Sequence, residues 1–409
     1  MVKAKIGNLL LLGFGEVATR GFSFLAFSYL GHVLAPEDLG IYGSALAVMM
    51  FGALTLDQGF GIHGSRGIAR HPASTEVLVR QIVSVQLWLA VAIYAVIWVT
   101  SKLAPIDPTL GVLLRGLGLT LFAAPFFFNW VFQGRNEMLW YALPTAIRQL
   151  TFLLLVLLLV KTADDLKLLP YAEIGGAVIC ALCFVVAYVR SGSKLVIDLR
   201  AGWNRQLFKE ALPIGGSNLI WALRTYLPIL VVLGALGPKS AGFFEPGHRI
   251  IMVLFAFLGV YFTNIFPAMS SAAIHDRARL RILIRKALAT SIVGTVVMAT
   301  ASSLTAEFAI NLVVGSQYVT EAAVNSMIIL SWILPIVAWR RCAMFGLIVL
   351  DQQKKELRCS IVGLVVLVAI IYPLTKEYGL AGCASSMLIS EFLATMLTWY
   401  YYREVDRRL

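Results

Sequence analysis

Unbroken apolar runs of about 20 residues, following one another from end to end, most narrow what this chain can fold into. As a helix rising 1.5 Å per residue, such a run matches the roughly 30 Å of bilayer hydrocarbon. Lipid offers no partner to a backbone N–H or C=O, so a span must be a helix or part of a closed barrel. Barrel strands alternate apolar and polar residues, whereas these runs are continuous. The expected fold is therefore an all-α integral membrane protein. Charged residues make up only 14% of the chain, against about 25% in a soluble domain.

Twelve spans are expected, at 7–33, 39–61, 81–101, 110–133, 139–160, 170–190, 209–235, 242–268, 284–313, 321–349, 359–375 and 379–402. The first is interrupted by Glu16 and Arg20. No small-residue cleavage site precedes the second span, so the first reads as a helix and not a signal peptide. With the N-terminus in the cytoplasm, the inner segments carry 22 Lys and Arg and the outer segments 6. That asymmetry follows the positive-inside rule. Both termini are then cytoplasmic, which requires an even number of spans. The net charge of +12 is spread over short loops, so it reads as an orientation signal, and no nucleic-acid partner is expected.

A short pattern recurs. Leu34-Ala-Pro-Glu-Asp-Leu-Gly-Ile-Tyr42 follows the first expected span, and Leu236-Gly-Pro-Lys-Ser-Ala-Gly-Phe-Phe244 follows the seventh. Pro36 matches Pro238 and Gly40 matches Gly242, both at an offset of 202. The span before each carries one mid-helix arginine, Arg20 and Arg224. The chain thus reads as two six-helix lobes, 1–200 and 201–409, split in the basic segment 190–209. Six is even, so the lobes insert with the same orientation, related by a pseudo-two-fold along the membrane normal.

Six basic residues fall within the spans: Arg20, Arg115, Arg148, Arg224, Arg340 and Arg341. An arginine near the bilayer centre costs about 2.5–3.5 kcal/mol on insertion scales, so it normally faces a cavity or a partner. Arg115 lies near an outer end, where snorkelling accounts for it. Among the acids, Glu16 stands four residues before Arg20, on the same helix face. Asp57 lies near the inner end of the second span, where it caps the helix or serves a site. Glu391 is mid-span, while Glu173 and Glu307 lie nearer the outer boundary. On this count deep arginines outnumber deep acids, and a cavity of that sign draws an anion. The planar fork of arginine suits phosphate in particular. Asn129, Asn218 and Asn264 offer polar contacts within spans. The run Trp399–Tyr402 and the cluster Phe126–Trp130 read as interfacial belt or packing.

The sequence holds no GxxxxGK[ST] motif and no HExxH or GxSxG motif, so neither P-loop hydrolysis nor these catalytic chemistries are expected. The five histidines are scattered, and Cys180 and Cys183 form a lone CxxC in an apolar run. No cofactor, no metal and no enzymatic activity are expected.

Several segments resemble the polysaccharide flippases of the O-antigen, Wzx-like type, within the multidrug/oligosaccharidyl-lipid/polysaccharide exporter superfamily. They are Arg20-Gly-Phe-Ser-Phe-Leu25, the motif 34–42, Asp57-Gln-Gly-Phe-Gly61, Gly64-Ser-Arg-Gly-Ile-Ala-Arg70, Phe266-Pro-Ala-Met-Ser270 and Tyr378-Gly-Leu-Ala-Gly-Cys-Ala384. The resemblance implies two six-helix lobes, a cationic central cavity and alternating access. It also implies an undecaprenyl-pyrophosphate-linked oligosaccharide as cargo, carried from the cytoplasmic to the outer leaflet of a bacterial inner membrane. Other polysaccharide-assembly membrane proteins are its implied partners. The lipid II branch usually carries two further C-terminal helices, and the chain ends at Leu409 without them. On this reading Arg20, Arg148 and Arg224 bind the pyrophosphate, with Arg340 and Arg341 assisting. Glu16, Asp57 and Glu391 are the candidates for coupling to H+ or Na+. Two rivals stand beside it. A multidrug-type exporter of organic cations would want deep acids in excess. A membrane-embedded polysaccharide-processing enzyme would want a large outer loop, and the outer loops here are short.

Overall fold

The computed structural model describes residues 2–201 and 205–408, with side chains described for 15–201 and 207–407 except 213 and 214. Part of the expected lobe junction, 202–204, lies outside the described residues. The helices are α1 (Val2–Val33), α2 (Pro36–Asp57), α3 (Phe60–Arg70), α4 (Thr75–Leu103), α5 (Pro108–Gly118), α6 (Asn129–Gly134), α7 (Met138–Leu159) and α8 (Leu169–Arg190). They continue as α9 (Arg205–Leu236), α10 (Pro238–His275), α11 (Arg277–Leu304), α12 (Ala306–Val314), α13 (Glu321–Ser331), α14 (Ile333–Val349) and α15 (Gln353–Arg408). Short 3₁₀ turns join some of them, and no strand occurs among the described residues. The all-α reading holds.

Local chemistry sets the helix ends. Pro36, Pro108 and Pro238 open α2, α5 and α10, where the missing N–H costs nothing and the fixed φ suits a helix. Asp107 caps α5, its carboxylate accepting from the Thr109 and Leu110 N–H groups at 2.7 and 3.1 Å. Between α2 and α3 the chain turns through Gln58 and Gly59, both at positive φ. Asp57 holds that turn by accepting from the Gly59 and Gly61 N–H groups at 3.3 and 3.0 Å.

Ten stretches among the described residues are long and apolar enough to cross a membrane, against twelve expected. The difference lies in two places. One is α1, with 32 residues, many of whose side chains lie outside the described residues. The other is α15, whose 56 residues would run about 84 Å if straight. It is not straight: Gly379, at φ 62° and ψ −141°, breaks it. A Cβ on Gly382 would overlap the Leu374 carbonyl, although eight residues of helix would separate them by about 12 Å. Lys355 Nζ also lies 3.3 Å from Glu404 at the other end. So α15 is an antiparallel hairpin holding the expected spans 359–375 and 379–402 as its two arms.

The chain forms two compact units. One comprises Met1–Ala35 with Ser44–Ala222, and the other Pro36–Gly43 with Leu223–Leu409. In the first, Phe128, Phe132, Phe184 and Tyr188 are fully buried in one core, so the Phe126–Trp130 cluster is packing. In the second, Tyr402 is buried in the core while Tyr400 is 65% exposed, so the Trp399–Tyr402 run divides between core and surface.

The repeated motif acquires a physical meaning in the second unit, where its two copies touch. A Cβ added to Gly40 would run into the Pro238 carbonyl and the Gly242 N–H, and one added to Gly242 would run into the Pro36 carbonyl. Each glycine thus makes room for the proline end of the other copy. Next to this crossing, a Cβ on Gly43 would stand 3.2 Å from the Glu245 carboxyl carbon.

Candidate functional site

Three elements of the second unit converge within the apolar stretches. Arg224 lies midway along α9, Arg340 midway along α14, and Glu391 on the second arm of α15. Arg340 Nη1 donates to Glu391 Oε1 at 3.1 Å, and Arg224 Nη2 donates to Glu391 Oε2. One carboxylate therefore bridges two guanidinium groups from two helices. The first arm of α15 adds Glu356 and Ser360. Arg340 Nη2 donates to Ser360 Oγ at 2.6 Å and reaches Glu356 Oε1 at 3.4 Å. Ser360 in turn donates to Glu356 at 2.8 Å. Gly363, one turn further, leaves space for Arg224, whose guanidinium carbon would stand 3.2 Å from a Cβ there.

The side chains of Arg224, Arg340 and Glu391 keep only 11–12% of their surface exposed. Burying charge this far is tolerable only where partners and hydrogen bonds are well placed. Partnering is incomplete, however. Arg340 Nε is buried and bonds to nothing. Arg341, half-buried, has no hydrogen-bond or ion-pair partner among the described residues and sits in the field of Glu391 and Arg340. Arg224, Arg340 and Arg341 stand against Glu356 and Glu391, so the cluster carries one surplus positive charge.

The first unit holds two further pairs. Arg148 on α7 meets Glu173 on α8 at 3.6 Å and lies 5.4 Å from the Phe127 ring, and its Nε is buried without a partner. Glu16 and Arg20 meet at 3.0 Å on α1, both more than half exposed. Charges so placed along a membrane helix must face water to be tolerated.

The placement corrects the count of deep charges. Arg20, Arg148, Arg224 and Arg340 each hold a carboxylate, Arg148 that of Glu173 and Arg340 that of Glu356 besides Glu391. Among the described residues, Arg341 alone of the five expected binding residues is free of one. Of the three expected coupling residues, Glu16 is paired, Asp57 caps α3, and Glu391 sits at the centre of the buried cluster. Arg115 is held by Ser101, its Nη1 donating to Oγ at 3.1 Å.

Sequence reasoning passed over Glu356, which reads as part of a basic loop. Its signal was the spacing Glu356, Ser360, Gly363, a small and polar stripe on one helix face. It also passed over Glu245, His248 and Arg249 on α10. Glu245 is buried and accepts from Arg249 Nε and Nη2 at 3.1 and 2.9 Å. His248 is buried against Phe244, with Nε2 unpartnered. The i, i+4 spacing of Glu245 and Arg249 was visible beforehand.

Comparison with known proteins adds a family, a relative and two solved structures. Residues 6–273 match a family described as polysaccharide biosynthesis protein. Over 411 aligned residues the chain is 23% identical to a protein of Escherichia coli (strain K12) named as a candidate O-antigen transporter, covering 97% of this chain and 96% of that one. Among solved structures it resembles a multidrug resistance MATE family transporter of the MOP superfamily in an inward-facing conformation. That likeness has a TM-score of 0.77 and 17% identity over 96% of this chain and 94% of the other. It also resembles the lipid II flippase MurJ in an inward closed conformation, with a TM-score of 0.73 and 11% identity over 97% and 90% of the two chains. These likenesses show the fold.

Proposed function

The chain belongs to the polysaccharide biosynthesis protein family, and from that premise we propose that it carries an undecaprenyl-pyrophosphate-linked oligosaccharide from the cytoplasmic to the outer leaflet. It does so by alternating access, with residues 1–200 and 201–409 as its lobes. Its place is the bacterial cytoplasmic membrane, with both termini in the cytoplasm. The observation that carries the reading is the buried cluster of Arg224, Arg340 and Arg341 against two carboxylates. A surplus positive charge at mid-membrane, with unused guanidinium donors, suits a phosphate and repels an organic cation. The O-antigen transport ascribed to the E. coli relative supports the cargo class. Arg340, Arg341 and Arg224 bind the pyrophosphate. Arg20 and Arg148, each paired with one carboxylate outside the cluster that carries the surplus charge, take no primary part. A membrane potential of 100 mV favours outward movement of each negative charge by about 2.3 kcal/mol.

The test is flipping of a fluorescent polyprenyl-pyrophosphate-linked glycan in proteoliposomes. Wild type flips it, and Arg341→Ala and Arg340→Gln lower the rate at least tenfold at equal reconstitution. Full transport by Arg341→Ala would remove the charge argument. No flipping of any of several glycans by well-folded wild type would move the reading to efflux of other solutes.

A further inference from the structure

Resting on that reading, we propose that Glu391 is a built-in stand-in for the cargo's phosphate: it occupies Arg224 and Arg340 while the site is empty, and a proton taken up by Glu391 releases them to the anion. The geometry supplies the first half. Glu391 presents one oxygen to each of two guanidinium groups from α9 and α14, the arrangement a phosphate takes between two arginines. The two arginines also hold more donors than Glu391 uses. Arg340 Nε, in a residue only 9% exposed, is buried with no partner. A carboxylate offers two oxygens, and a diphosphate offers more.

The second half follows from competition. Glu391 is tethered beside both arginines, so its effective concentration there far exceeds that of any diffusing ligand. A free anion displaces it only if its charge is removed or strongly opposed. The groups packed against it decide the direction. From α9 comes Arg224, and from α14 come Arg340 and Arg341. From the first arm of α15 come Glu356, Cys359 and Ser360, with Glu356 already held by Ser360 and Arg340. On its own arm Thr395 donates to the backbone carbonyls of Glu391 and Ile336, and not to the Glu391 carboxylate. In the empty site Glu391 holds both guanidinium groups. With a diphosphate seated on those arginines, Glu391 faces negative charge instead and takes a proton from water. When the cargo leaves, the proton leaves and Glu391 returns to the arginines. Proton uptake and anion binding then strengthen each other by the same factor, as linkage requires.

The experiment is calorimetric titration of the purified full-length chain with farnesyl diphosphate, in buffers of different ionisation enthalpy, at pH about 8, well above the phosphate pKa of about 6. Wild type should take up close to one proton per ligand and bind close to tenfold more tightly as pH falls by one. Glu391→Gln should bind at least tenfold more tightly at the same pH, with no proton uptake. The double variant Arg340→Gln/Glu391→Gln keeps the cluster's net charge and should bind more weakly than Glu391→Gln. Should Glu391→Gln fail to fold, proton uptake by wild type, set against the double variant, decides the matter. Binding by wild type without proton uptake, or unchanged affinity in Glu391→Gln, overturns the stand-in role and leaves the proposed cargo class intact. No binding by wild type or Glu391→Gln overturns both.

Discussion

Substituting Gly242 with alanine gives the most direct check on the packing logic of the repeat. An alanine Cβ at this position overlaps the Pro36 carbonyl, and an ordinary carbon–oxygen contact needs about 3.3–3.6 Å. The obstacle is backbone on both sides, so no side chain can swing away. The helices α2 and α10 must part by more than about 1 Å. Overpacking of this kind costs about 1–3 kcal/mol, and the rigid partner places Gly242→Ala at the upper end. Gly294 provides the opposite control. Nothing lies within 4 Å of its Cβ position, and alanine in a helix interior is favoured over glycine by about 0.5–1 kcal/mol. The two substitutions, chemically identical, should therefore differ by about 2–4 kcal/mol in unfolding free energy, measured by steric trapping in bicelles. Gly40→Ala should resemble Gly242→Ala. The double variant should cost less than the sum, because one separation of the helices relieves both overlaps. Equal stability of Gly242→Ala and Gly294→Ala would refute the crossing as a close-packed contact.

Three further outcomes are expected. Asp57→Ala removes the cap on the α2–α3 turn and should cost about 1 kcal/mol, while the pH dependence of transport stays as in wild type. A changed pH profile would return Asp57 to the coupling residues. Glu173→Gln leaves Arg148 with only the Phe127 ring and should lower the melting temperature, whereas Arg148→Gln/Glu173→Gln should recover most of it, since an orphaned charge costs more than a missing pair. Gly379→Ala forces a side chain onto a backbone at φ 62° and ψ −141° and should cost about 1–3 kcal/mol by steric trapping.

How much of this was legible beforehand depended on how far apart the participants lie in the chain. Spans of continuous apolar residues declare themselves locally, so the helical fold and the approximate limits of its elements were readable. The motif at 34–42 and 236–244 was also readable, because a glycine four residues after a proline is a short-range pattern. That the two copies meet, glycine against proline carbonyl, was not, since an offset of 202 residues says nothing about contact. The hairpin of α15 was anticipated as two spans, 359–375 and 379–402, with the charged Lys376 and Glu377 between them. The candidate site was half legible. Arg224, Arg340 and Glu391 stood out as charges in apolar surroundings, yet counting them by sign gave the wrong balance. Glu356 stands among Lys354, Lys355 and Arg358 and reads as loop until the helix is seen to start at Gln353. Glu173 likewise reads as a boundary residue, although it reaches the half-buried Arg148.

The order of these charges along the chain constrains how the site assembles. Arg224 precedes its carboxylate by 167 residues and Arg340 precedes it by 51. Until the second arm of α15 is in place, Arg224 has no carboxylate from that arm. Arg340 has only Glu356, at the longer distance of 3.4 Å. An unpartnered arginine at the centre of a bilayer carries a cost of about 2.5–3.5 kcal/mol, so α9 and α14, which carry these arginines within apolar stretches, sit in a membrane at a disadvantage until the last arm docks. Docking of that arm then does two things with one residue. Glu391 removes the penalty on both arginines, and it aligns their guanidinium groups on a common centre. Removing the carboxylate without removing an arginine leaves the alignment unenforced and the charge uncompensated. A substitution that conserves net charge is thus needed to separate the structural part of this residue's role from any part in binding an anion.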